Sequence, residues 1–325
     1  MEVATAAQPV RRPSYHGSGG TLFGIQLVNL LLTIVTLGIY SFWGKTRVRS
    51  YLWRQTEFEG DRLAYHGTGK ELLIGWLKAF AIFFVLFGGI AFVEYLIKVP
   101  LTAIPIFVYL VAYAVTLILI PVAIVGSRKY RLSRTSWRGV RFSFRGRTKE
   151  FLKLFVGGSL LSVVTLGLYY PFFSNNMWRY LVSRSYFGSQ RFEFDGNGAD
   201  LFGRFIKAFL LSIVTFGISW IWYGATRQRY YWAHTSFAGA RFRSTVMGGP
   251  LFRLILGDVL LLIITLGLAA SWVRTRNIHF ICSNLALEGQ VDLEAIRQEA
   301  QMAPATGDEL ADFLGIDYPG LVPSP

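Results

Sequence analysis

The sequence predicts an all-α polytopic membrane protein with short β-hairpin connectors, built from five tandem repeats of about 50 residues, the second enlarged to a full transmembrane helix pair. Three observations carry this prediction. The 325 residues are 53% apolar and only 16% charged, where soluble domains average about 25% charged. Six apolar stretches, Leu22–Trp43, Leu72–Ile97, Leu101–Gly126, Phe151–Phe173, Leu201–Tyr223 and Leu251–Val273, approach or exceed the roughly 20 residues that a membrane-crossing helix needs. A Thr-x-Gly motif also recurs at fixed distance inside four of them. This composition excludes a disordered chain, and Cys282, the single cysteine, excludes a disulfide scaffold.

Residues 1–20 form a polar N-terminal segment with Arg11-Arg12-Pro13 before the first run. No signal-peptide cleavage pattern follows, so Leu22–Trp43 reads as a retained membrane segment. Residues 21–290 form the membrane domain, divided into units 22–71, 72–150, 151–200, 201–250 and 251–290. Thr36-Leu37-Gly38-Ile39-Tyr40, Thr165-Leu166-Gly167-Leu168-Tyr169, Thr215-Phe216-Gly217-Ile218-Ser219 and Thr265-Leu266-Gly267-Leu268-Ala269 each begin 14 residues after their run starts. The unit beginning at Leu72 instead carries 29 extra residues, enough to extend both its arms around a turn at Val99-Pro100.

The connectors repeat as well. Thr135-Ser136-Trp137-Arg138-Gly139-Val140-Arg141-Phe142 matches Thr235-Ser236-Phe237-Ala238-Gly239-Ala240-Arg241-Phe242, and 51–67 and 180–196 follow the same plan. Alternation such as Arg191-Phe192-Glu193-Phe194 reads as a strand with one apolar face, and the glycine before it supplies the turn. Each connector is therefore a basic helix end followed by a short β-hairpin. The fifth copy, Phe280 to Val291, lacks the arginine, while Tyr15-His16-Gly17 echoes Tyr65-His66-Gly67 and ends an incomplete strand. Together these motifs resemble the YjgN-like family of bacterial inner-membrane proteins, from about Tyr15 to Val291. The resemblance implies a multi-pass protein of the bacterial inner membrane. It brings no activity and no catalytic residues.

Two topologies fit. If every run crosses once, 19 lysines and arginines fall on one side and 8 on the other, and the positive-inside rule places the larger group in the cytoplasm. If each unit is instead a hairpin broken at Thr-x-Gly, all connectors share one face and their strands can pair. The hairpin arrangement is preferred, because a first arm such as Leu22–Thr36 rises only about 22 Å, and because homologous strands then stay in one compartment.

Asp258 lies inside an apolar run, where a carboxylate is costly and calls for a cavity or partner. Asn29 occupies the equivalent position, so the two form a candidate intramembrane polar site, weighed against a purely structural hydrogen bond. Arg62, Arg141, Arg191 and Arg241, each after a turn glycine, form a candidate surface for anionic lipid or ligand, weighed against simple positive-inside topology. Tyr40, Trp43, Tyr169, Trp222 and Trp272 read as interfacial anchors. The glycine pairs near Gly17, Gly67 and Gly196 match no nucleotide fingerprint and read as turns. His16, His66, His234 and His279 lie singly, so no metal site is expected, and no cofactor or catalytic constellation is visible.

Residues 291–325 form an acidic tail. From 286 to the end the net charge is −7, against +21 for the rest, so docking of the tail onto the basic hairpins is an open expectation beside a simply solvated tail. Val291–Gln301 suits a short amphipathic helix ended by Pro304, and Leu310–Leu314 suits a second turn. The functional expectation is transport or permeation of a small solute or lipid through broken helices. The alternative is a non-transporting scaffold whose basic hairpin surface binds lipid or a partner. The expected partners are the bilayer and anionic lipids, with a partner protein or homo-oligomer open and nucleic acid not expected.

Overall fold

A computed structural model describes residues 10–97, 104–293, 296 and 306–314, and in it four of the apolar runs are broken in two. They form the hairpins α1 (Gly19–Val35) and α2 (Ser41–Arg54), α5 (Thr148–Val164) and α6 (Tyr170–Ser183), α7 (Ala199–Val214) and α8 (Ser219–Ala233), and α9 (Gly248–Ile264) and α10 (Ala270–Ser283). The Thr-x-Gly motif makes each break. Thr36 Oγ1 donates to the Leu32 carbonyl at 2.7 Å and accepts the Tyr40 amide at 2.9 Å, tying the end of one helix to the start of the next. Between them Leu37 and Gly38 turn left-handed, with φ of 50° and 95°. The Gly38 amide then reaches the Thr33 carbonyl at 2.8 Å, a Schellman-type closure of the orphan carbonyls. Thr165, Thr215 and Thr265 make the same pair of bonds.

This geometry corrects the predicted fold class. Among the described residues no helix is long and apolar enough to cross a membrane. The apolar runs looked like spans because each sums two helices of about 14 to 17 residues across an apolar turn. The expected full transmembrane pair is part of the same correction. Its place is taken by α3 (Gly69–Ile97) and α4 (Ile104–Ser133), the longest helices at 29 and 30 residues. The expected turn at Val99-Pro100 lies outside the described residues.

Nor is the protein all-α, because its connectors do not stay separate. The strands are β1 (Val10–Arg11), β2 (Ser14–Tyr15), β3 (Thr56–Phe58), β4 (Asp61–Arg62), β5 (Ala64–Tyr65), β6 (Thr135–Trp137), β7 (Val140–Phe144), β8 (Ser185–Phe187), β9 (Gln190–Phe194), β10 (Thr235–Phe237), β11 (Ala240–Ser244) and β12 (Leu285–Glu288). Nine of them form one antiparallel sheet in the order β1-β12-β11-β10-β9-β8-β7-β6-β5, and β2-β3-β4 form a second. Strand β2 continues the segment of β1, and β5 continues that of β4, so the two sheets join into a closed ring. Where successive hairpins meet, the register is the same each time: Tyr15 faces Thr56, Tyr65 faces Thr135, Phe144 faces Ser185, Phe194 faces Thr235 and Ser244 faces Leu285. The nine-stranded sheet takes at least one strand from each of the five connectors, which is incompatible with six single crossings that would separate alternate connectors by a bilayer.

The fifth hairpin is shared between the chain ends. Strand β12 pairs with β1, Leu287 opposite Arg11, as Phe58 pairs with Asp61 in its own hairpin. Arg12 thereby takes the position of Arg62, Arg141, Arg191 and Arg241. The arginine missing from the fifth connector comes from the N-terminal strand, a substitution that reading along the chain cannot show.

Alternate residues of the ring point inward in two layers. Phe58, Trp137, Phe187, Phe237 and Leu287 form one, and Pro13, Leu63, Phe142, Phe192 and Phe242 the other, around an apolar cavity of about 140 Å³. Aromatic contacts tie the layers together, Phe192 to Phe237 at 4.6 Å between ring centres and Phe142 to Phe187 at 4.8 Å, each worth about 1 kcal/mol beyond buried area. The helical hairpins also close on themselves. Trp272 of α10 packs on Phe23 of α1 at 5.1 Å and lies over Gly19. Trp43 and Trp222 cover Gly69 and Gly248 of the following hairpins in the same way, so these aromatics are packing residues as much as anchors.

Trp137 is 4% exposed, its indole nitrogen donates to the Phe58 carbonyl at 3.1 Å, and its ring lines the barrel cavity. Trp137→Ala is expected to destabilise the protein by about 3–5 kcal/mol, to be measured by urea unfolding followed by far-ultraviolet circular dichroism.

Candidate functional site

Three features stand out on this frame: the hairpin apices, the arginine ring and the seat of the acidic tail. At the apices Leu37, Leu166, Phe216 and Leu266 are 87–95% exposed, and all four hold left-handed backbone angles of 48–50°. A branched or aromatic side chain in that region costs about 1–2 kcal/mol, and full exposure adds the cost of an unburied apolar group. The flanking Val35, Val164, Val214 and Ile264 are exposed as well. Large apolar side chains thus sit where both backbone and solvent disfavour them.

The outward positions of the ring carry Arg12, Arg62, Arg191 and Arg241, all exposed, and the half-exposed Arg141. Arg241 pairs with Asp195 at 2.7 Å, and Arg191 lies 3.6 Å from Glu193. Burial would raise the Asp195 pKa, but His234 and Arg241 outweigh it and hold the carboxyl below its usual range. The candidate basic surface is therefore one circumferential band, partly neutralised by its own acids. His66 donates to or accepts from Ser136 at 2.7 Å and belongs to the same sheet.

Asn29 and Asp258 are buried but serve separate hairpins. Asn29 donates to the Gly44 carbonyl at 3.2 Å, and Asp258 accepts from Asn277 at 2.8 Å with Arg276 at 3.5 Å, each partner lying on the second helix of the same hairpin. The equivalent Gly158 leaves room for Phe173. The position is a packing point inside each hairpin, and no described hydrogen bond joins Asn29 to Asp258. Burial raises the Cys282 thiol to about 11, which keeps it protonated and inert at neutral pH. Among the described residues no group of His, Cys, Asp or Glu suits a metal ion.

The tail seat was not legible in detail. Helix α11 (Thr306–Phe313) lies on α3 and α4 rather than on the β-hairpins. Its Asp308 is fully buried and accepts from Arg49 at 2.5 Å, Arg131 at 2.6 Å and Ser127 at 3.0 Å. Gly307 meets Gly126 backbone to backbone; a Cβ on Gly126 would stand 2.6 Å from the Gly307 Cα, so only glycine permits the approach. Leu310 and Ala311 pack on Ala79 and Ala123. The charge asymmetry of the sequence pointed to docking, but nothing in it singled out Asp308 among eight acids or Arg49 and Arg131 among 33 cations. The expected helix over 291–301 falls largely outside the described residues.

Comparison with known proteins adds a family. The model of a family described as bacterial protein of unknown function (DUF898) matches residues 11–218 and 209–313. The chain is similar to Inner membrane protein YjgN of Escherichia coli strain K12, 34% identical over 140 residues, which is 42% of this chain and 32% of that protein. It is likewise similar to Inner membrane protein YjgN of Salmonella typhimurium, 34% identical over 131 residues, 40% of this chain and 30% of that one. The matched segment spans about a third of the length of these curated relatives. No solved structure matches the chain.

Burial would raise the Asp308 pKa, yet Arg49 and Arg131 outweigh it and hold the carboxyl below its usual range. A carboxyl depressed in the folded state stabilises docking above the unfolded value, near 3.9, and that contribution is lost only as pH falls through the depressed value. Pepsin digestion between pH 5 and 2 is expected to leave 306–314 intact at pH 4 and to cleave it only in stronger acid.

Proposed function

The chain belongs to DUF898, the YjgN-like family of bacterial proteins of unknown function, and from that premise we propose that it is a non-transporting scaffold of the bacterial inner membrane. Its helical hairpins seat in one leaflet, and its barrel faces the aqueous side, where the arginine band binds anionic lipid headgroups. We read the five hairpin units as copies of one another, the fifth completed by the N-terminal strand.

The observation that carries this reading is the set of strained, exposed apices. A leucine or phenylalanine held left-handed in water has two unfavourable terms and no compensation, whereas in hydrocarbon the exposure term reverses sign. On the first arm of the first hairpin the exposed apolar positions run from Leu27 to the apex at Leu37, about 15 Å at the helical rise. That is about half of a 30 Å hydrocarbon core, a depth that suits one leaflet. Backbone groups at this depth are satisfied within each hairpin by the Thr-x-Gly bonds, which lipid exposure requires. The names of the curated relatives support the inner-membrane location.

Transport was motivated by a polar site between broken helices. With Asn29 and Asp258 each bonded inside its own hairpin and the barrel cavity lined by apolar, mostly aromatic side chains, the scaffold is the better supported of the two. The arginine band supports headgroup binding at about 1 kcal/mol per cation near an anionic surface.

Leu37→Asp, Leu166→Asp, Phe216→Asp and Leu266→Asp are each expected to weaken partition onto vesicles of mixed zwitterionic and anionic lipid about 30-fold, from about 2 kcal/mol of lost burial per apex. Their circular dichroism should match the parent chain, because these side chains are 87–95% exposed. Vesicle flotation is the measurement, and undiminished flotation of the fourfold variant would sink the proposal.

A further inference from the structure

We propose that the surface covered by α11 is a binding site for an anionic lipid, and that α11 is its built-in competitor. The seat has two parts. Arg49 of α2 and Arg131 of α4 converge on one carboxylate, with Ser127 as a third donor, at 2.5–3.0 Å. Arg49 is itself buried and also reaches the Tyr65 hydroxyl at 3.4 Å. Two guanidiniums brought together without an acid repel, and a buried charge without a partner is strongly disfavoured. A negatively charged group in place of Asp308 would keep the two guanidiniums paired.

The second part is apolar. Beyond the arginines, Leu310, Ala311 and Leu314 lie against Ala79, Phe83, Leu119 and Ala123. From Asp308 to Leu314 the helix rises about 9 Å, and along α4 it moves from Arg131 back toward Leu119, away from the barrel and toward the apolar side of the hairpins. The seat therefore presents a cationic pocket continued by an apolar trough, in the order in which a phospholipid presents its phosphate and its chain. The segment imitates that amphiphile with the buried carboxylate of Asp308 followed by Leu310, Ala311 and Leu314. A free phosphate would satisfy the arginines but leave the trough bare, so the trough selects a lipid over a soluble anion.

The backbone of α11 meets α4 through glycine alone, Gly307 against Gly126, and every described polar bond that the seat gives the helix ends on the one Asp308 carboxylate. As part of the same chain it competes at high effective concentration, so lipid binds only where lipid is abundant. The inference uses the membrane reading only as the source of the lipid. Its test runs in detergent solution, so failure of apex insertion and failure of the lipid seat are separate results.

The experiment is hydrogen exchange over residues 306–314 of the full chain in non-ionic micelles, titrated with dihexanoyl-phosphatidylglycerol, dihexanoyl-phosphatidylcholine or inorganic phosphate. The phosphatidylglycerol is expected to deprotect α11, and the other two are not. By calorimetry, Asp308→Asn and, independently, Gly307→Leu should tighten phosphatidylglycerol binding at least tenfold, while Arg131→Gln should weaken it by a similar factor. If either releasing variant does not fold, the other and the titration of the parent chain carry the test. Protection that survives phosphatidylglycerol would overturn the proposal and make α11 a fixed structural element. Equal displacement by inorganic phosphate would overturn the assignment to lipid.

Discussion

Closure of the strand ring is the constraint on which the rest depends. Five short hairpins of two to five residues per strand would be marginal as isolated units, and each would expose unpaired edges. Joined in one repeated register, every hairpin is the next one's partner. The last gap is closed by β1 and β2, which pair with β12 on one side and β3 on the other. The Arg11 guanidinium adds a bond to the Val291 carbonyl at 3.4 Å from across the chain. Closure gathers the inward aromatics into one core and forces the helical hairpins to emerge on one face, where they pack around a ring of their own.

Polarity then separates along that axis. The barrel keeps aromatic rings inside and arginines outside, while the hairpins carry leucine, valine, isoleucine and phenylalanine on their outer surface as well as apolar groups between their helices. A protein in water places its large apolar groups inside, and departures of this size mark contact surfaces. The left-handed leucines at the apices carry the point furthest, because a strained conformation persists only where its surroundings over-determine it. The threonine bonds supply the determination.

The tail adds a third layer. An acidic helix seated on basic helix ends brings one buried carboxylate, Asp308, to the buried Arg49 and the half-buried Arg131. Its glycine contact and its apolar stripe both match the surface beneath. That complementarity connects the regulatory reading of α11 to the packing of α2, α3 and α4.

Much of this was written locally in the chain. Thr-x-Gly set the helix breaks, since a threonine hydroxyl and a left-handed pair act within five residues. Alternation such as Arg191 to Phe194 set the strands, and the spacing of 50 residues set which positions correspond. The apolar runs misled for the same local reason: hydropathy adds two helices and a turn without registering that the chain doubles back. Only the tertiary structure decided that the connectors close into one barrel, that Arg12 completes a ring of arginines, that Asn29 and Asp258 never meet, and that Asp308 belongs to Arg49 and Arg131. Those are pairings between distant segments, fixed by the shape of the whole assembly. Charge and pattern along a sequence state what a segment can bond to, and only the closed ring states which partner is within reach.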